Sequence, residues 1–250
     1  MLLSYSFRPK NINQALEYEL IDISLISNSP GDINTDYRYS RKAWDVGAGL
    51  TGDSNNNKTM KNILFDFISK YISLTEEEKN AILSLDLFCS VKKGTILLKE
   101  GQKSRESYFI LKGCIRTYYV IDGGEKTTAF YTEMEALTPP CVINKTPSEY
   151  YIGCVEDTIL TVSDSDMELE INSKFPKFDT MCKILSEQLL AKQRIDFDEF
   201  KTSSPEQRYL NIIQKRPDLI QRVPQYQLAS YLGIKPESLS RLRARITEKK

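Results

Sequence analysis

Beyond residue 60 the spacing of apolar positions changes twice, and each change marks a different kind of element. From Lys61 to about Leu87 the apolar residues recur at helical steps and predict two short helices. The second opens with Thr75 and Glu78, three residues apart, whose side chains can each satisfy the other's free backbone amide. Between Val91 and Val162 the pattern becomes a series of short β-rich runs: TILLKE, SYFILKG, CIRTYYVI, EKTTAFY, YYIGCV and TILTVS. Gly94, Gly101 and Gly113 punctuate them, and Asp122-Gly123-Gly124 is a hairpin signal, so a small antiparallel roll or barrel is expected. From Pro176 to Phe200 three- and four-residue steps return through Phe178, Met181, Leu185, Leu189 and Ile195, which predicts a helix of about seven turns. A helix of that length between two domains commonly packs against a twin, and Phe178, Met181, Leu185 and Leu189 are the expected dimer interface. Ser204-Pro205-Glu206 then starts a new helix as N-cap and first turn, leaving residues 201–204 as a hinge.

Residues 1–59 follow no sustained period and carry seven asparagines and the polar stretch GDSNNNKT. A short amphipathic helix over residues 12–25 and a strand through Ile21, Ile23, Leu25 and Ile26 fit about equally well. This segment is expected to be an extension, disordered or non-native, with Met60 as the natural start; the alternative is an ordered N-terminal subdomain. The fold class that follows is α+β: an N-terminal extension at 1–59, a β-roll sensor domain at 60–175, a dimerisation helix at 176–200 and a helix-turn-helix domain at 201–250.

The last of these rests on QYQLASYLGIKPESLSRLRARI, residues 225–246. A helix-turn-helix needs a small residue where its helices touch, a glycine able to take positive φ in the turn, and apolar residues that clamp the pair. Ala229 and Gly233 fit the first two roles, and Leu228, Leu232, Ile234, Leu239, Leu242 and Ile246 supply the clamp. Lys235-Pro236 begins the second helix, where proline sacrifices no hydrogen bond. Glu237 and Arg241 flank Leu239 by two residues on either side, about 200° round the helix, and so lie on the outer face. Arg241 suits guanine O6 and N7, and Glu237 suits a cytosine amino group. Ser238 and Lys235 can reach base edges or phosphates, while Arg243, Arg245, Lys249 and Lys250 are better placed for phosphates. The competing reading is a solvated basic helix with no partner.

Charge supports the motif. The chain is neutral overall, but residues 201–250 hold 11 Lys/Arg against 4 Asp/Glu, leaving 23 against 30 for the first 200. A basic end points to a polyanion, here double-stranded DNA. There is no histidine, which removes Ser/His/Asp and Cys/His nucleophile pairs, HExxH metal helices and histidine-ligated haem, so an enzyme is not expected. The five cysteines are scattered without a CxxC pair, and neither metal nor cofactor is expected. Cys114 and Cys154 read as buried thiols rather than redox sensors. No apolar run approaches the ~18 residues of a membrane span, and MLLSYSF is too short for a signal peptide before Arg8, so a cytoplasmic address without membrane contact is expected.

The order of these elements, with EGQ, YFILKG and a hairpin in the roll, a long helix and the ending PEQRYLNIIQKRPDLIQRVPQYQLASYLGIKPESLSRLRARI, resembles the Crp/Fnr superfamily of bacterial transcription regulators, in the variety common in Bacteroidetes. The resemblance spans roughly residues 60–250 and implies a homodimer whose recognition helices enter successive major grooves, with RNA polymerase as a further partner. Its base-reading positions fall on Glu237, Ser238 and Arg241, and Pro236 stands where the family usually has another arginine. Members that bind cyclic nucleotides hold the phosphate with an arginine and a following small residue. Those positions are Ser148 and Glu149 here, so the effector loop is expected to be degenerate, with an unknown effector or none. A phosphate without a guanidinium loses its bidentate charge-assisted bonds, and Glu149 adds a like charge. Lys145, a point charge in a loop, does not replace them.

Three further readings remain open at this stage. Tyr118, Tyr119, Tyr150 and Tyr151 line an apolar cavity or are ordinary strand packing. Glu133 and Glu135 are a ribose ligand or an acid/base pair of a hydrolase, or residues of a solvated loop. The leading function, a dimeric DNA-binding regulator, competes with a ligand-binding regulatory module whose terminal helices only pack.

Overall fold

The computed structural model of the chain describes residues 54–85 and 87–248. The element considered for residues 12–25 lies outside them, as do Lys249 and Lys250. Helix α1 (Ser54–Ile68) begins ahead of Met60, and Met60 is buried, so the boundary drawn at residue 59 falls inside a helix. Helix α2 (Glu76–Ser84) opens with the expected reciprocal cap: the Glu78 amide donates to Thr75 Oγ1 at 3.3 Å and the Thr75 amide donates to Glu78 Oε2 at 2.8 Å. The same carboxylate takes Lys177 Nζ at 2.7 Å, and the bond from Lys177 is the first reason its pKa lies below the ordinary value.

Eight antiparallel strands follow: β1 (Phe88–Val91), β2 (Ile96–Leu98), β3 (Glu106–Lys112), β4 (Ile115–Ile121), β5 (Gly124–Tyr131), β6 (Ala136–Leu137), β7 (Tyr151–Cys154) and β8 (Thr158–Asp164). They form two four-stranded sheets, ordered β1-β8-β3-β6 and β2-β7-β4-β5. Residues from both, among them Val91, Leu98, Ile110, Ile115, Ile152 and Leu160, meet in one core. The β4–β5 hairpin turns at Asp122 and Gly123, both at positive φ (53° and 73°), as a two-residue hairpin that follows the sheet twist requires. β1, β6, helix α3 (Pro140–Asn144) and helix α4 (Ser165–Lys174) carry no clear period, being too short or too solvated to show one.

The roll's outer faces are covered too. Leu111, Phe109 and Ile159 of the first sheet pack with α1, α2 and the start of helix α5 (Lys177–Thr202). Phe130 of the second sheet, with Cys114 and Val155, packs with the C-terminal helices α6 (Pro205–Lys215), α7 (Pro217–Arg222), α8 (Gln225–Leu232) and α9 (Pro236–Glu248). Phe178 and Met181, expected as an exposed stripe, are 4% and 8% exposed because they fill the first of these clusters, and Leu185 packs against it. No helix among the described residues is long and apolar enough to cross a membrane.

At the β3–β4 corner the chain needs a glycine. Gly113 has φ +108°, and a Cβ there would stand 2.7 Å from Thr158 Cα and 2.8 Å from Asp157 O, both backbone atoms that cannot swing away. Gly94 has φ +82° but open space around it. Gly113→Ala is expected to cost about 3 kcal/mol or more, from strain plus overpacking, and Gly94→Ala only ~1 kcal/mol from strain. Urea unfolding midpoints of the two variants check the difference.

Candidate nucleic-acid interface and effector loop

Helix α8 ends where Gly233 takes the left-handed conformation (φ 72°, ψ 29°). The Gly233 amide then donates to Ser230 O and the Ile234 amide to Ala229 O, both at 3.0 Å, closing the helix end and turning the chain into α9. Ala229 and Leu239 are fully buried at the helix crossing, with Leu228, Leu232 and Leu242 beside them. That packing turns the opposite side of α9 to solvent: Lys235, Glu237, Ser238 and Arg241 are all exposed. Arg243 is half-buried. Arg245 is exposed but engaged, its Nη2 lying 2.7 Å from Glu206 Oε2.

The hinge expected at residues 201–204 is bridged. Glu199 of α5 pairs with Lys215 and accepts from Asn211, both on α6, and the Lys215 bond leads the causes that lower its pKa. Arg208 stacks its guanidinium 4.2 Å from the Phe200 ring centroid and donates to Phe200 O at 3.2 Å. Both side chains approach Gly233, within 3.9 Å and 4.0 Å of where a Cβ would be, so the end of the long helix lies under the turn between α8 and α9.

In the loop expected to be a degenerate effector site, Ser148 is 3% exposed and spends its polar groups locally. Its amide donates to Gln102 O and its carbonyl accepts from the Gly101 amide, both at 2.7 Å, which ties it to the EGQ turn. Its hydroxyl donates to Tyr150 O at 2.8 Å. Glu149 and Lys145 point to solvent. The four tyrosines do not line one cavity, because adjacent strand residues face opposite ways. Tyr119 and Tyr150 lie inward with ring centroids 5.7 Å apart. Tyr118 and Tyr151 stack at 5.2 Å on the outer face, where the Arg116 guanidinium sits 4.0 Å from the Tyr118 ring.

Glu133 and Glu135 correct a sequence reading most directly. Both are held by the C-terminal helices, in neither a solvated loop nor an acid/base pair. Glu133 forms a two-pronged pair with Arg222, and Glu135 is met by Arg216 and by Lys192. Burial pushes the Glu133 pKa up, but the bonds from Arg222 and the Gly113 amide outweigh it, and the net shift is downward. Arg222 rises in turn, chiefly through its bonds to Glu133 and then Glu156. Sequence reasoning counted Arg216 and Arg222 only as part of a basic tail; the opposite charge imbalance of the first 200 residues was the signal that some of that charge is matched within the chain. Burial raises the Cys114 and Cys154 thiols to about 12, which keeps them protonated and poor nucleophiles. No group of His, Cys, Asp and Glu among the described residues is placed to hold a metal ion.

Comparison with known proteins bears on the roll first. The cyclic nucleotide-binding domain family matches residues 88–168. No protein of curated function matches the sequence. Among solved structures, FixK2 from Bradyrhizobium japonicum is similar at 13% identity and TM-score 0.53, over 65% of this chain and 84% of that one. The c-di-GMP-responsive global regulator CLP from Xanthomonas campestris is similar at 16% identity and TM-score 0.54, over 70% and 93%. A mutant of CooA from Carboxydothermus hydrogenoformans is similar at 16% identity and TM-score 0.50, over 65% and 76%.

Proposed function

We propose, from a Crp/Fnr-like cyclic-nucleotide-binding fold followed by a helix-turn-helix, that this chain is a sequence-specific DNA-binding transcription regulator rather than an enzyme. The observation that carries the reading is the outer face of α9, where Lys235, Glu237, Ser238 and Arg241 stand exposed opposite a fully buried Leu239. A base-reading helix needs this combination, a rigid inner face and an outer face of bidentate donors and acceptors. Arg241 reads a base, with Glu237 and Ser238 beside it. Arg243 holds a phosphate, as does Lys235 near the helix start. Arg245 contributes least, since an existing partner, Glu206, must be given up first. RNA polymerase and a cytoplasmic location belong to the same reading. A ligand-binding module whose terminal helices only pack has less support, because packing alone gives no reason for an exposed Glu237 and Arg241.

The effector site, in this reading, does not take a cyclic nucleotide through the usual phosphate clamp. Ser148 supports this: its hydroxyl and backbone are already committed to Tyr150, Gly101 and Gln102, and its neighbour Glu149 would repel a phosphate.

Dimerisation, also part of the proposal, uses a different side of α5 from the stripe Phe178, Met181, Leu185 and Leu189. Exposed apolar residues of α5 include Leu190, Ile195 and Phe197, at 69%, 62% and 55%, with Ile184 on the same flank as Ile195. At ~100° per residue Leu190 and Phe197 lie roughly 100–160° away from Ile195 and its neighbours, on another side of the helix, while Ile184, Ala191 and Ile195 fall within about 40° of one another. Such a face is a seam for a second copy of the helix.

Three measurements test the reading. Arg241→Ala is expected to cost ~1–3 kcal/mol on a duplex selected by the wild-type protein and to relax preference at one base pair per half-site, while Arg243→Ala weakens all duplexes alike. Equal losses on selected and scrambled DNA for Arg241→Ala would refute the base-reading role. Calorimetry with cyclic AMP and cyclic GMP is expected to show no saturable binding near micromolar concentration. Sedimentation is expected to give a dimer that Ile195→Asp splits into folded monomers, whereas Leu185→Asp lowers stability by disturbing the roll's helical cover.

A further inference from the structure

The connection from β5 to β6, residues 132–135, is held from three sides. Within the roll, Met134 N donates to Ile110 O at 2.9 Å and Ile110 N donates to Glu135 O at 3.1 Å, so its backbone moves with β3. From the C-terminal helices, Arg222 places Nη2 2.8 Å from Glu133 Oε1 and Nη1 2.9 Å from Glu133 Oε2, and Arg222 Nε reaches Glu156 Oε1 at 2.9 Å. Arg216 donates to Phe130 O at 3.2 Å, to Thr132 Oγ1 at 3.0 Å and to Glu135 Oε2 at 3.3 Å. From the long helix, Lys192 takes the other oxygen of Glu135. One turn of chain thus meets the roll, α5 and the α6–α7 pair.

Beside this cluster, β5 is the edge strand of its sheet, and α8 covers it. Ser230 Oγ accepts from the Thr127 amide and donates to Glu125 O, both at 2.9 Å, doing for that edge what a neighbouring strand would do. The Arg222 and Arg216 side chains are 22% and 27% exposed, so water screens their pairs less than it screens surface pairs. The same loop runs directly into β6 and α3, the effector loop.

We propose that residues 132–135 are a latch: Glu133 and Glu135, gripped by Arg222, Arg216 and Lys192, fix the helix-turn-helix on the roll. The base-reading face of α9 stays exposed while the latch is closed, so the latch positions the domain and does not occlude it. Its effect on DNA rests on the DNA-binding reading, but the docking does not. In a dimer, a fixed domain presents two recognition helices at one spacing, and a released one must be ordered anew by the duplex. Arg222 and Arg216, acting through α6–α9, and Lys192, acting through α5, are positioning residues in this arrangement.

Two full-length variants test it. Glu133→Gln with Glu135→Gln removes the carboxylates. Because Glu133 also takes the Gly113 amide at 2.8 Å, Arg222→Gln breaks the latch from the other side and leaves that bond intact. Amide hydrogen exchange of β5 and α8 is expected to rise tenfold or more in both variants, with β3 and β8 unchanged. Affinity for a two-half-site duplex, selected by the wild-type chain from a randomised pool, is expected to fall at least fivefold, with single half-site affinity unchanged. Wild-type protection of β5 and α8 in both variants overturns the latch, as does an equal rise in β3 and β8, which would make the loop a prop of the roll alone. Equal loss on half-site and full-site duplexes overturns the positioning role. A pool that yields no duplex counts against the DNA-binding reading, and the exchange arm still decides the latch.

Discussion

A roll of two sheets has one interior and two outer faces, and in this chain both outer faces carry apolar residues that must be covered. That constraint sets much of what lies outside the roll. Phe109, Leu111 and Ile159 require α1, α2 and the first turns of α5; Phe130, with Cys114 and Val155 at the roll's corners, requires the helices after α5. The long helix therefore spends Phe178, Met181 and Leu185 on its own chain, and Ile184, Leu190, Ile195 and Phe197 remain exposed on its other sides.

The second constraint is charge. The tail's excess of cations reads as a polyanion surface, yet Lys215, Arg216, Arg222 and Arg245 all have carboxylate partners in the chain. On the DNA-binding reading proposed above, the surface left for a duplex is smaller than the count suggests: Lys235, Arg241 and Arg243 beside Glu237 and Ser238. On that reading, removing cations from general display favours readout over mere attraction, since phosphate contacts raise affinity on every sequence alike.

These two constraints meet at the β5–β6 connection. Its carboxylates lie where the cover of the second sheet ends, and they give Arg216 a carboxylate partner and Arg222 one besides Glu156 and Asp218. A half-buried arginine without a partner is costly, so the pairing follows from the packing as much as it guides it.

Local physics was legible in the sequence alone. The capping box at Thr75 and Glu78, the hairpin at Asp122 and Gly123, the roll strands other than β1 and β6, and the turn at Gly233 four residues after Ala229 each depend on residues a few positions apart, and their spacing was enough to place them. The outer face of α9 followed, because a helix with Leu239 and Leu242 inside has only one opposite side. Tertiary structure decided what depends on residues far apart in the chain: which face of α5 is already covered, which arginines are free, and that Glu133 meets Arg222 across 89 positions. An apolar stripe or a lone charge states only that a partner is needed; the identity of that partner is set by how the two sheets close and what remains uncovered when they do.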